Sequence, residues 1–114
     1  VDIAAVDIIQ PDAIWTGGVM ECLKIAEYAK GAGIQMIPHN FSTTVSHMAN
    51  YQLSVIANST PMMECDQTGS PFINFNNPLN VSSAEILQSQ SVSGFGADIS
   101  VELIKPYLIG SSRV

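Results

Sequence analysis

Three residues with acid/base side chains each follow a short apolar run. Asp12 comes after "IIQP", His39 after "IQMIP" and Glu64 after "PMM". They stand 27 and 25 positions apart. Histidine titrates near neutrality and can take up or return a proton. A carboxylate beside it holds the ring in one tautomer, so Asp12 with His39 makes an orienting pair. Glu64 would then be a second acid or a hydrogen-bond partner for a substrate. Taken singly, each residue has a plainer alternative. Asp12 can accept backbone N–H bonds from the Trp15-to-Gly18 loop, His39 can be structural, and Glu64 can face solvent. Together, in register, the three favour one shared pocket. Trp15 stands either at the mouth of that pocket or in the core, and Asn40, directly after His39, is placed beside the substrate.

The elements that must carry these residues are legible from periodicity. "VDIIQ" (6–10) reads as a strand buried on both faces, ended by Pro11, with Gly17 and Gly18 permitting a tight loop. From Val19 to Ala32 the pattern is helical: Val19, Leu23 and Ala26 form one stripe, with Cys22, Ile25 and Ala29 beside it. Glu21 near the start and Lys30 near the end suit the helix dipole, and Gly31 and Gly33 are stops. "IQMIPH" (34–39) repeats the strand, and a polar loop follows over 40–44. Val45 to Ala57 is a second helix with Val45, Met48, Ala49, Leu53 and Ile56 on its apolar side. His47 lies on another face with Asn50 and Tyr51, structural or exposed. "PMMEC" (61–65) is the third strand. Regular alternation of strand and helix predicts a parallel sheet with right-handed crossovers, and in such folds ligands sit at the carboxyl ends of the strands.

Beyond Cys65 the composition turns loop-like. Short extended segments are expected around "AEIL" and the "SGFG" turn. A short helix is expected over 100–108, capped by Ser100 and limited by Pro106.

The bulk numbers narrow the function classes. At 114 residues the chain fits one domain or a piece of one, and 46% hydrophobic with 12% charged is a globular composition. A net charge of -6 with four basic residues argues against nucleic acid and against an anionic membrane surface. No apolar run reaches the roughly 20 residues of a membrane span, and the N-terminus lacks the features of a signal peptide. Cys22 and Cys65 read as buried free thiols of a reducing compartment, and no C-x-x-C spacing suggests zinc. Three N-x-[ST] triplets, at Asn40, Asn58 and Asn80, are coincidences of an Asn/Ser/Thr-rich chain. The G-x-G-x-x-G, phosphate-loop and G-x-S-x-G motifs are absent.

"QPDAIWTGGVMECLKIAEYAKGAGIQMIPHNF", then "PMMECD" and "SGFGADIS", resembles the C-terminal barrel segment of the enolase superfamily. The nearest branch is that of mandelate racemase and muconate lactonizing enzyme, particularly its acid-sugar dehydratases. The resemblance implies an α/β fold that is part of a (β/α)8 TIM-type barrel. Residues 1–114 would supply the last three β/α units and the tail of a longer catalytic domain, inactive alone. It implies Asp12, His39 and Glu64 at the ends of the sixth, seventh and eighth strands. The Asp–His pair would do general acid/base work, and the Glu would contact the substrate carboxylate or its enolate. The implied chemistry is removal of the proton α to a carboxylate, assisted by Mg²⁺ whose carboxylate ligands lie upstream. It ends in dehydration of a sugar acid or, alternatively, in racemization, epimerization or cycloisomerization. A cytoplasmic homo-oligomer is the usual form. From a different class, the alternative is a non-catalytic α/β fragment. The family's Pro-Gly-x-Gly turn reads Ser93-Gly94-Phe95-Gly96 here.

Overall fold

The computed structural model describes residues 5–57, 62–66, 68, 72, 93–96 and 101–110. Two strands, β1 (Ile8–Ile9) and β2 (Gln35–Met36), alternate with two helices, α1 (Val19–Gly31) and α2 (Thr44–Ala57). The strands pair in parallel, Ile8 with Gln35 and Ile9 with Met36. The connection from one to the other runs through α1, which packs on both β2 and α2. This is the β/α alternation expected from the sequence. The sheet has two strands among the described residues, an α/β unit and not a closed barrel.

The pairing reaches further than the assigned strands. Gln35 N–H donates to Asp7 C=O at 3.0 Å, Ile37 N–H to Ile9 C=O at 3.0 Å, and His39 N–H to Pro11 C=O at 3.1 Å. Every second residue donates, the even spacing of a parallel ladder. Its last rung joins Pro11 to His39, so Asp12 and His39 leave the sheet at the same end.

Three expectations need correction. Ile8 is 43% exposed, so β1 is not buried on both faces; among the described residues nothing pairs along its other edge. Residues 62–66 carry no strand, and Asn40 joins them to the segment after β2 through its side chain and its N–H. The helix expected over 100–108 is α3 (Val101–Ile104), followed by a 3₁₀ turn over Lys105–Tyr107. Pro106, which has no N–H to give an α-helical bond, explains the change. Ser100 and the "AEIL" segment lie outside the described residues, while the expected turn at 93–96 is closed by Gly96 N–H on Ser93 C=O at 3.2 Å.

The core follows the predicted stripes in part. Ala13, Cys22, Ala26, Met36 and Leu53 form its buried cluster, with Ile9, Val19, Leu23 and Ala57 packed against it. On α2, however, burial extends beyond the apolar side. Thr44, Ser46, His47, Asn50, Tyr51 and Ser54 are all buried, while Ile56, expected inside, is 61% exposed. A helix buried on its polar side must find hydrogen-bond partners there, and those of Asn50 and His47 lie just beyond the ends of the strands.

Helix α1 stops where its glycines allow. Ile34 N–H bonds Ala29 C=O at 2.9 Å and Gly33 N–H bonds Lys30 C=O at 3.1 Å, a Schellman pair with Gly33 at φ 72°. At its start Gly17 and Gly18 have φ of 100° and 97°, which a side chain would oppose. They let the chain turn from Asp12 into the helix in a few residues.

Candidate active site

Asp12 is buried directly after the last rung of the ladder, and its two oxygens do different things. Oδ1 accepts the Ile14 N–H at 2.8 Å, a local turn that uses the short side chain to close the loop. Oδ2 faces His39 Nδ1 at 3.1 Å. The loop is closed further by Trp15 and Thr16 N–H on Asp12 C=O, at 3.1 and 2.8 Å, and by Asp12 N–H on Thr16 Oγ1 at 3.2 Å. The loop acceptor and the histidine partner, alternatives in the sequence, are one carboxylate.

A carboxylate can only accept from the ring, so His39 Nδ1 carries the proton and Nε2 is left as the basic nitrogen. The His39 side chain is 43% exposed against 4% for Asp12. The pair thus has a buried, fixed end and an accessible end, the arrangement for moving a proton at Nε2.

Asn50, from α2, stands behind the pair and is fully buried. Its Oδ1 accepts the Ala13 N–H at 3.0 Å. Its Nδ2 donates to His39 C=O at 3.0 Å and to Asp12 Oδ1 at 3.3 Å. One side chain therefore spans both strand ends.

Glu64 is half-buried beside the same strand end. Its Oε2 accepts the Asn40 N–H at 2.7 Å, and its C=O accepts Asn40 Nδ2 at 3.0 Å. Asn40 also places Nδ2 2.8 Å from His47 Nδ1. His47 Nε2 is buried with no hydrogen-bond partner among the described residues. Burial pushes the His47 ring below its ordinary range, and the Asp66 carboxylate pulls partly the other way.

Asp12 and His39 thus meet directly, and Glu64 is held by the residue that follows His39. Trp15 is 79% exposed and belongs to no core. Asn40 is 1% exposed, with its amide engaged on Glu64 and His47. Its side chain lies between Glu64 C=O and the His47 ring. His47 and Asn50 were seen in the sequence only as polar residues of a helix face. The one signal for them was their spacing of three, which puts both on the same side of α2.

Among the described residues, no group of three or more His, Cys, Asp or Glu could hold a metal ion. The described residues thus offer no ligand set for the Mg²⁺ that the resemblance implies, whose carboxylate ligands are expected upstream. Both cysteines are free, Cys22 buried and Cys65 half-buried, and no described helix is long and apolar enough to cross a membrane.

A family model described as enolase C-terminal domain-like matches residues 1–103. The chain is 42% identical over 55 residues to an arabinonate dehydratase of Saccharolobus solfataricus, 48% of this chain and 15% of the relative. It is 37% identical over 76 residues to a D-galactarolactone cycloisomerase of Agrobacterium fabrum, 60% of this chain and 20% of the relative. To an L-rhamnonate dehydratase of Saccharopolyspora erythraea it is 34% identical over 58 residues, 51% of this chain and 14% of the relative. It spans a fifth or less of the length of these curated relatives. No solved structure gives a match.

Proposed function

The chain belongs to the enolase C-terminal domain-like family, and from that premise we propose that it carries the acid/base residues of a sugar-acid dehydratase. It does so as the C-terminal portion of a (β/α)8 barrel in a longer protein, and the remaining strands complete the site. The observation that carries this reading is the 3.1 Å contact of His39 Nδ1 with the buried Asp12 Oδ2, which leaves Nε2 on the accessible side.

In this reading His39 Nε2 takes the proton α to the substrate carboxylate, and the C–H electron pair moves into an enediolate. The β C–O bond then breaks, and the proton on Nε2 returns to the departing hydroxyl, which leaves as water. The resulting enol becomes a 2-keto acid. Atoms balance as the loss of one water, with no change of net oxidation state. Asp12 stabilises the imidazolium formed between the two steps and keeps Nδ1 protonated throughout. Glu64 hydrogen-bonds the substrate through Oε1, its Oε2 being occupied by the Asn40 N–H. Trp15 lines the mouth. Magnesium, implied by the family, would be held outside these residues. The protein works as a cytoplasmic homo-oligomer on a small sugar acid.

A cycloisomerase is the second reading, favoured by the D-galactarolactone relative; it uses the same proton transfer and differs in what the enediolate does next.

The test is deuterium incorporation from D₂O and keto-acid release by the full-length protein, with arabinonate and L-rhamnonate as probes. His39→Asn is expected to lose both while its circular dichroism is unchanged. Turnover at the wild-type rate in this variant would refute the role of His39.

A further inference from the structure

The buried polar residues of α2 need an explanation that packing does not supply. His47 and Asn50 are one turn apart, and each reaches a different member of the site. Asn50 touches Asp12 Oδ1, the Ala13 N–H and the His39 C=O. Among the described residues the His47 ring bonds Asn40, which in turn holds Glu64 by two bonds. We propose that His47 and Asn50 are positioning residues that use α2 as a common base, Asn50 for the Asp12–His39 pair and His47, through Asn40, for Glu64. This rests on the dehydratase reading above and adds to it what holds the residues in relation to each other.

The hydrogen-bond polarity is determined along the His47 arm. Glu64 C=O can only accept, so the Asn40 amide must turn its NH₂ towards it. The same nitrogen lies 2.8 Å from His47 Nδ1, which therefore accepts, and the ring proton sits on Nε2. That N–H is buried without a partner among the described residues. What His47 contributes here is an acceptor at the position of Nδ1. With the amide held from behind, the Asn40 N–H stays aimed at Glu64 Oε2, and Oε1 faces the substrate.

The Asn50 arm spans the sheet end. Its amide bonds the peptide that follows Asp12 and the carbonyl of His39, so it fixes the separation of the two backbones from which the pair projects. It also donates to the Asp12 oxygen that does not face His39. Loss of this amide leaves Oδ2 and Nδ1 free to drift apart, and misplacement by about 1 Å costs on the order of 100-fold in rate.

The two arms predict different kinetic signatures in the full-length protein, read with arabinonate and with L-rhamnonate. Asn50→Ala should slow keto-acid release by about 10- to 100-fold, in turnover and not in KM. In an Asp12→Asn background it should add little, because both changes disable the same pair. His47→Leu should raise KM by roughly 10-fold, and His47→Asn should recover most of that, because its Oδ1 falls where Nδ1 was and also accepts. Should Asn50→Ala not fold, the cycle is read on Asn50→Ser, whose hydroxyl is too short to reach both acceptors. Additive effects of the Asn50 and Asp12 variants would overturn the first arm. Equal impairment of His47→Leu and His47→Asn would overturn the second. A His39→Asn protein with wild-type turnover takes down the dehydratase reading and this inference together, whereas the other two results leave that reading standing.

Discussion

Asp12 Oδ2 lies 3.1 Å from His39 Nδ1 while Asp12 Oδ1 accepts the Ile14 N–H at 2.8 Å. The bond to the loop is what makes the bond to the ring useful. An aspartate free to rotate would spend entropy on meeting the imidazole, whereas this one is already held by its own turn and by the Asn50 amide. The geometry comes from the last rung of the ladder, Pro11 to His39, which delivers both residues to one end of the sheet.

Asp12→Asn should keep the turn, because an amide oxygen can still accept the Ile14 N–H, and lose the charge at His39. General-base catalysis is worth roughly 10²- to 10⁴-fold, and the variant should lose a sizeable part of it in turnover rather than in KM. The check is the pH profile of keto-acid release by the full-length protein. Wild-type release with an unmoved histidine limb would reduce Asp12 to a loop residue.

His47 makes stability depend on pH in a defined direction. Its folded-state value is pushed below the ordinary 6.5 by burial. Above that pH the ring is neutral folded and unfolded, and titration contributes nothing. As the pH falls through it, the unfolded chain takes up the proton first, and folded stability declines until the folded ring is protonated as well. Thermal melts should therefore show the wild type losing ground to His47→Asn on acidification from about pH 6.5. A gap between the two that stays constant with pH would show that the ring titrates alike in both states.

Cys22 should be unreactive in the native state. Burial pushes its thiol up, and the Asp12 and Glu21 carboxylates push it further the same way. The thiolate is the nucleophile, so native protein should label with a thiol reagent at least about 10-fold more slowly than urea-unfolded protein. Peptide mapping of the labelled sites assigns the rate to Cys22, and equal rates would contradict its burial.

Gly33→Ala tests the helix stop in isolation. At φ 72° a Cβ is strained, yet it would meet no atom within 4 Å. The expected loss is therefore backbone strain alone, about 1–2 kcal/mol, with turnover kept. Chemical denaturation measures it, and an unchanged midpoint would mean that the turn relaxes.

Periodicity and punctuation were enough to read the β/α order and the bounds of α1 and α2 to within a residue or so, because hydrophobic spacing and glycine stops act locally. Position after a strand was enough to bring Asp12 and His39 together, because a parallel ladder delivers the residues that follow its strands to a common end. The residues 62–66 show the limit of that logic: their apolar run looks like its predecessors, but a strand exists only where another backbone pairs with it. The polar face of α2 shows the other limit. His47 and Asn50 read in the sequence as a polar helix face, structural or exposed. Side-chain amides and imidazoles suit water and buried partners equally well, and which they meet depends on chain segments up to 38 positions away, as in the Asn50 contact with Asp12. The sequence determined which residues could do chemistry. Only the tertiary structure decided which polar and aromatic side chains face outward, His39 and Trp15, and which are buried, Asp12 and Asn50, because burial is a property of the packed chain and not of any residue in it.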